Sequence, residues 1–255
     1  MLLVLDVGNT TTVVGVYDND SLVAHWRLVS ERHTSDELGI YLRNLLQFAS
    51  IPYREIHGAI LSSVVPSLDS VIQEGVSRYF NDVHCLRVSY KLDLGMDILY
   101  GAPHEVGADR LVNAVAGRER YGAPLIVIDF GTAITLDIIS KEGAYLGGTI
   151  SPGLVSGMEA LFGRTAKLPQ VSLEAPMSVI GSNTMESIQA GLMFGNAGLV
   201  DFLVRKTRET LGCRCGVIAT GGHAEAIAKI SETIETVDQW LTLEGLRIIY
   251  ERNVS

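Results

Sequence analysis

With 255 residues, 47% of them hydrophobic and 19% charged, the chain has the balance of a globular protein large enough for one large domain or two small ones. A formal net charge of -9 sets it apart from general nucleic-acid binders, whose phosphate contacts need clustered Lys and Arg, and makes small-molecule partners the expectation. Three cysteines, Cys85, Cys213 and Cys215, are too few and odd in number for a disulfide framework, the opening "MLLVLDVGNT" lacks the basic start of a secretory leader, and no apolar run approaches the ~18 residues of a membrane span, so a cytoplasmic protein with no membrane partner is expected.

In chain order, residues 2–7 read as a buried strand, 11–17 as a second, and "DND" turns the chain into a third, "SLVAHWRLVS". "TSDELGIYLRNLLQFAS" is predicted to be a helix, opening with Thr34 and Glu37 at capping-box spacing and carrying Leu38, Leu42, Leu45 and Leu46 on one face. "HGAILSSVV" follows as a strand, "PSLDSVIQEGVSRYF" as a helix with Pro66 at its start, and "VHCLRVS" as a strand. The opening meander then returns in "PLIVIDFGTAITLDIISKEGAYLGGTI", where Asp129 takes the place of Asp6 at an offset of 123 residues, close to half the chain. Such self-similarity indicates an internal duplication, with domains 1–120 and 121–255 meeting near "RYGAP". The second half continues with the mostly helical "TMESIQAGLMFGNAGLVDFLVRKTRETLG", whose interior glycines cost helix stability and leave room for a break near Gly195 or Gly198. "CGVIATGG" is a buried strand, "HAEAIAKIS" a short helix and "LEGLRIIYERN" a closing helix.

The polar cluster in the first hairpin has a chemical reading. A phosphate held near a strand end needs glycine for close backbone approach, N–H groups and hydroxyls as donors, and a carboxylate that holds Mg²⁺ through water. "DVGNTT" supplies these, although Asp-x-Gly between strands also serves as a tight turn capped by its own aspartate. The second copy, "DFGTA", strengthens the phosphate reading, and facing repeats would place Asp6, Thr10, Asp129 and Thr132 around one cleft. "IATGGHA" ends a strand and enters a helix, where either an adenosine or simply a sharp turn would call for glycine. There is no Gly-x-x-x-x-Gly-Lys-Ser/Thr loop and no Gly-x-Gly-x-x-Gly after a strand, so phosphate must be held without a P-loop lysine. The two cysteines of "CRCG" have no second pair with which to complete a metal site.

Meander-plus-helix duplication with "DVGNT", "DFGTA" and "ATGG" resembles the superfamily of actin, sugar kinases and heat-shock chaperone ATPases. The implied fold is α/β, with two duplicated ribonuclease-H-like, actin-like ATPase domains. Each would be a mixed sheet with an antiparallel meander flanked by helices, and the active site would lie in the cleft between them. More narrowly, "DVGNTTTVVGVY", "YGAPHEVGADRLVNAVA", "VIDFGTAITLDII", "GGTISPG" and "ATGGHA" together resemble the type III pantothenate kinases across essentially the whole chain.

That resemblance implies transfer of the γ-phosphoryl group of ATP to the primary hydroxyl of pantothenate, the first step of coenzyme A synthesis. Asp109 of "GADR" matches the catalytic base, a carboxylate that chiefly orients the attacking hydroxyl because a loose transition state needs little deprotonation. On its own it would also suit a helix N-terminus. Asp6, Val7, Gly8, Asn9, Thr10, Thr11, Thr12 and Val13 match the first ATP-phosphate loop, with Asp6 an indirect Mg²⁺ anchor. Thr132 matches an ATP contact, Gly221 and Gly222 the adenosine segment, and Asp129 the ligand of a monovalent cation, K⁺ or NH₄⁺. Tyr100, Gly107, Ala108, Asp109 and Arg110 match the pantothenate pocket, and Thr184 a residue that reaches pantothenate from the partner subunit of a homodimer. Two other readings stay open: a sugar or acetate kinase of the same superfamily, and a non-enzymatic accessory factor for gene expression.

Overall fold

Strands β1 (Leu2–Val7), β2 (Thr11–Asp18) and β3 (Ser21–Val29) form the antiparallel meander that the sequence predicts. In the computed structural model, which describes residues 1–163 and 171–254, β4 (Gly58–Ser63) runs parallel to β1 on its other side and β5 (Cys85–Arg87) parallel to β4. The order is β3-β2-β1-β4-β5. Central β1 and β4 are covered on both faces, which is why they are almost continuously apolar, whereas edge strand β3 alternates between exposed and partly buried residues. Helices α1 (Ser35–Phe48) and α2 (Pro66–Tyr79) pack on one face, where Leu42, Leu46, Ile72 and Val76 meet Leu3, Leu5 and Leu61. α1 begins at the expected capping box, with the Glu37 N–H donating to Thr34 Oγ1 and the Thr34 N–H to the Glu37 carboxylate.

The second half repeats this plan. After α3 (Ala108–Tyr121), strands β6 (Leu125–Phe130), β7 (Ala133–Ile139) and β8 (Tyr145–Pro152) form a second meander. Following α4 (Leu154–Gly163) and α5 (Thr184–Leu211), β9 (Gly216–Thr220) adds in parallel to β6. α6 (Ala224–Ala228) leads to β10 (Thr236–Val237), which pairs parallel to β9, and α7 (Leu241–Val254) closes the chain. The sheet order β8-β7-β6-β9-β10 matches the first sheet strand for strand, and each meander has a register irregularity between its second and third strands. Duplication is thus visible in topology as well as in sequence.

Alongside the cut at residue 120 expected from the sequence, contacts divide the chain into one compact unit of Met1–Met96, Gly101–Ala116 and Thr242–Ser255, and another of Asp97–Tyr100 and Gly117–Leu241. α7 packs in the first unit. Its Leu243 lies where a Cβ on Gly15 would stand, Val112 fills the space that the missing side chain of Gly245 leaves, and Arg247 pairs with Asp20 at 2.6 Å and with Glu244 and Glu251 at 2.7 Å.

No break occurs near Gly195 or Gly198: α5 runs unbroken for 28 residues. Met193, Ala197, Val200 and Val204 bury one side of it against β6, β7 and β9, and this packing outweighs the roughly 1 kcal/mol that each interior glycine costs. Among the described residues it is the one helix long and apolar enough to cross a membrane, with a mean hydropathy of 1.3 over its most apolar stretch. The core accounts for part of that apolarity, 44% of the stretch being buried. Buried Asp201 on the same helix takes hydrogen bonds from Ser231, Glu232 and Thr233 and fixes the loop before β10.

Candidate active site

In the first unit β1 carries Asp6 to its C-terminal end, in register with Val13 of β2 and Ser62 of β4. The hairpin closes tightly: the Gly8 N–H donates to the Thr11 carbonyl at 3.0 Å, leaving Asn9 and Thr10 exposed at its tip. Strand alternation then sorts the motif. Asp6, Thr11 and Val13 share one face, while Val7 and Thr12 point to the helix-covered face. There the Thr12 and Ser30 hydroxyls are hydrogen-bonded at 2.8 Å, so the side chain of Thr12 is directed away from Asp6. Ser62, which sequence reasoning missed, stands beside Asp6 on the adjacent strand with its hydroxyl buried and unpartnered among the described residues. Its signal is only a serine at the end of an apolar strand.

Asp109 lies at the start of α3, also in the first unit. Gly107 makes room for it, since a Cβ there would collide with Asp109 Oδ1, and the Arg110 N–H donates to that oxygen at 2.8 Å. Burial pushes the Asp109 carboxyl above the ordinary carboxylate value, against the opposing effects of the Arg110 N–H and guanidinium. A carboxylate so placed, at a helix start, can accept a proton or orient a hydroxyl. Arg110 is itself buried.

The second unit repeats the hairpin. Asp129 ends β6 in register with Thr135 of β7 and Thr220 of β9, and the Gly131 N–H donates to the Ala133 carbonyl at 3.0 Å. Thr132 is exposed at the tip, its carbonyl accepting from the Gly153 N–H at 3.0 Å and from Ser156 Oγ at 2.8 Å. Thus "GGTISPG" places Gly153 and the start of α4 against the turn at residues 131–133, and Gly153 is needed because a Cβ there would meet the Gly131 and Thr132 carbonyls. Gly221 has φ +93° and sits where a Cβ would strike Asp129 Oδ1 and the Phe130 backbone. Those contacts bring the "ATGG" segment to Asp129, with Gly222 exposed beside it. Tyr100 is half-buried in the same unit, and Thr184 is exposed at the first position of α5 behind the N-cap Asn183.

Among the described residues no group of three or more His, Cys, Asp or Glu side chains could hold a metal ion. Asp6, a single half-buried carboxylate beside a glycine turn and hydroxyls, fits Mg²⁺ drawing most of its ligands from phosphate and water. Asp129 sits in an equally oxygen-rich turn, which fits a weakly bound monovalent cation. Cys85 is buried and its thiol is pushed up to about 12, consistent with a structural role.

The sequence profile of the family described as type III pantothenate kinase matches residues 2–206. The chain belongs to the type III pantothenate kinase family. A family member from Citrifermentans bemidjiense is 48% identical over 99% of this chain and 100% of its own, and one from Geobacter sulfurreducens is 48% identical over 99% of each. Among solved structures, a conserved Baf family protein from Campylobacter jejuni covers 98% of this kinase-family chain and 97% of its own, at TM-score 0.60 and 22% identity. At that identity the likeness shows the fold alone, the two-domain actin-like architecture.

Proposed function

We propose that this chain transfers the γ-phosphoryl group of ATP to the primary hydroxyl of pantothenate, giving 4′-phosphopantothenate, in the first step of coenzyme A synthesis. The observation that carries the reading is its likeness, at 48% identity over 99% of the chain, to full-length proteins named for this activity. Asp109 accepts the proton of the attacking hydroxyl and chiefly orients it, a role that its raised carboxyl pKa supports. Arg110 pairs with the pantothenate carboxylate or a phosphate oxygen, where a planar fork binds better than an ammonium, and Gly107 and Ala108 of the first unit and Tyr100 of the second are assigned to pantothenate.

In the first unit, residues 6–13 hold ATP phosphates through backbone N–H groups and hydroxyls. Thr12 shapes this loop through its bond to Ser30 rather than by reaching phosphate. Asp6 anchors Mg²⁺ through water, and the ion supplies charge neutralisation on the phosphates when bound. In the second unit Thr132 contacts ATP, Gly221 and Gly222 border the adenosine, and Asp129 holds K⁺ or NH₄⁺. The chain has five lysines, none in the glycine segments, so a monovalent cation answers a shortage of fixed positive charge.

The protein works as a cytoplasmic homodimer in which Thr184 reaches pantothenate from the partner subunit. Supporting this, Gly191, Gly195 and Gly198 recur on one side of α5 with open space where a Cβ would project, and Phe202 and Met185 are about half exposed on the same helix. A stripe of that kind permits close approach of a second helix. The test of the activity is incubation with ATP, Mg²⁺, K⁺ and pantothenate, read by mass spectrometry. Phosphopantothenate is expected, and ADP without it, or phosphorylation of glucose or acetate instead, would refute the assignment.

A further inference from the structure

Strand alternation divides the second sheet into an apolar and a polar face. Ile126, Ile128 and Phe130 of β6 and Ile134, Leu136 and Ile138 of β7 enter the core under α5, so Asp129, Thr135 and Asp137 lie on the opposite face. Asp137 is fully buried there. Tyr145, also fully buried, donates its hydroxyl to Asp137 Oδ1 at 2.7 Å, and Thr135 Oγ1 donates to Oδ2 at 3.3 Å.

The duplicated first unit is an internal control for whether the fold requires this polar group. Asp137 pairs with Val127 as Gly15 pairs with Val4, Thr135 pairs with Asp129 as Val13 pairs with Asp6, and Tyr145 pairs with Ile139 as Leu22 pairs with Tyr17. The same frame is therefore built elsewhere in this chain with valine, glycine and leucine, and Leu22 packs where a Cβ on Gly15 would stand. A buried carboxylate is costly unless its hydrogen bonds are satisfied, so architecture alone does not account for Asp137.

The contacts of the polar group explain its presence. The Tyr145 N–H donates to the Asp97 carbonyl at 2.8 Å, and the Tyr145 carbonyl accepts from the Leu99 N–H at 2.8 Å, tying residues 97–100 to β8. The Tyr100 ring then meets the Tyr145 ring edge-on, with centroids 6.4 Å apart and planes at 62°. On another side it covers Gly147, whose φ of +106° and missing side chain leave the space: a Cβ there would come within 2.7 Å of the Tyr100 ring.

We propose that Thr135, Asp137 and Tyr145 are positioning residues that fix the Tyr100 ring for pantothenate, with Asp137 locking the Tyr145 ring against which Tyr100 rests. This rests on the assignment of Tyr100 to the pantothenate pocket. Tyr145→Phe keeps both rings and removes one hydroxyl, so the KM for pantothenate should rise about tenfold, the scale of one well-formed hydrogen bond, while the KM for ATP stays unchanged. A purely structural role would lower Tm and leave both constants of the folded enzyme where they were. The deciding measurement is a double-mutant cycle with Tyr100→Leu. If Tyr145 acts through Tyr100, the double variant has the pantothenate KM of Tyr100→Leu alone. Effects that multiply, or an unchanged KM in Tyr145→Phe, overturn the positioning role and leave the Tyr100 assignment standing. An unchanged pantothenate KM in Tyr100→Leu overturns that assignment and the positioning role together, as does a wild-type protein without pantothenate turnover. Should Tyr145→Phe fold poorly, Thr135→Val in the same cycle separates the same outcomes through the other oxygen of Asp137.

Discussion

Replacing Gly221 by alanine tests whether the "ATGG" segment and Asp129 form one device. The substitution costs twice over. A φ of +93° is unfavourable for an L-residue by roughly 1–2 kcal/mol, and the new methyl would meet Asp129 Oδ1, Phe130 N at 2.7 Å and Phe130 C at 2.8 Å, two of which are backbone atoms that cannot swing aside. Overpacking of that kind costs about 1–3 kcal/mol, so the expected loss is roughly 2–5 kcal/mol. In a chain of this size that corresponds to a fall in Tm of roughly 4–20 °C. Gly212 is the matched control: it caps α5 at φ +65° with nothing within 4 Å of its would-be Cβ, so Gly212→Ala bears only the conformational cost. Calorimetry on the two variants separates strain from collision, and the concentration of K⁺ needed for half-maximal activity reports displacement of Asp129. Gly221→Ala should melt below Gly212→Ala and need more K⁺. Equal melting temperatures with unchanged K⁺ dependence would refute the argument that the glycine is required by its contact with Asp129.

Asp109→Asn should lower turnover by roughly 10²–10⁴, the range for a positioned acid–base group, with ATP binding retained in calorimetric titration; near-normal turnover would make Asp109 structural. Because burial raises the Asp109 pKa, the folded state binds a proton more tightly than the unfolded chain. The stability that Asp109 lends is complete below its unfolded pKa and is lost as pH rises through the folded value, so the asparagine variant should melt above wild type at neutral pH and lose that advantage in acid. Exchanging K⁺ for tetramethylammonium at equal ionic strength should abolish most activity, and unchanged rates would remove the cation from Asp129. Mixing Asp109→Asn with Thr184→Val protein, followed by subunit exchange verified by native mass spectrometry, should restore roughly a quarter of wild-type turnover by giving half of the dimers one intact site; no recovery would mean that each chain builds its pocket alone.

Much of this architecture was legible because its signals are local. Alternating and continuous apolar runs separated by "DND" and "KEG" define the meanders, Thr34 and Glu37 announce α1, and the spacing of Asp6 and Asp129 reveals the duplication before any strand is paired. The features that sequence does not announce depend on distant partners. Nothing in "LEGLRIIYERN" says that Arg247 meets Asp20 or that Tyr250 packs against Gly58, contacts that place α7 with the first unit. The glycines of α5 suggested a break because propensity is a property of one residue, whereas the core that holds the helix straight comes from three strands. Within the candidate site, Asp6 and Asp129 were visible by their repetition, but the face to which Thr12 turns depends on register, and a single-residue difference in hairpin length sets it.

That difference also shows how one frame came to hold two kinds of polar site. Between the last paired residues of each hairpin, Val7 with Thr12 and Phe130 with Ile134, the first loop has four residues and the second three. The longer loop leaves Asn9 and Thr10 projecting with N–H groups and hydroxyls, as suits phosphate. The shorter one is pinned through the Thr132 carbonyl by Gly153 and Ser156, and its aspartate is pressed from the side by Gly221. On the proposed assignment that carboxylate holds the monovalent cation and not the transferring phosphoryl group. On the same assignment the attacking hydroxyl is oriented by Asp109, at the head of α3, where Gly107 leaves room for its carboxylate and the Arg110 N–H donates to it. With a net charge of -9 and no lysine in the glycine segments, the proposed site leaves the positive charge for phosphoryl transfer to backbone N–H groups and added cations, so its rate should respond more sharply to the identity of the monovalent ion than to ionic strength.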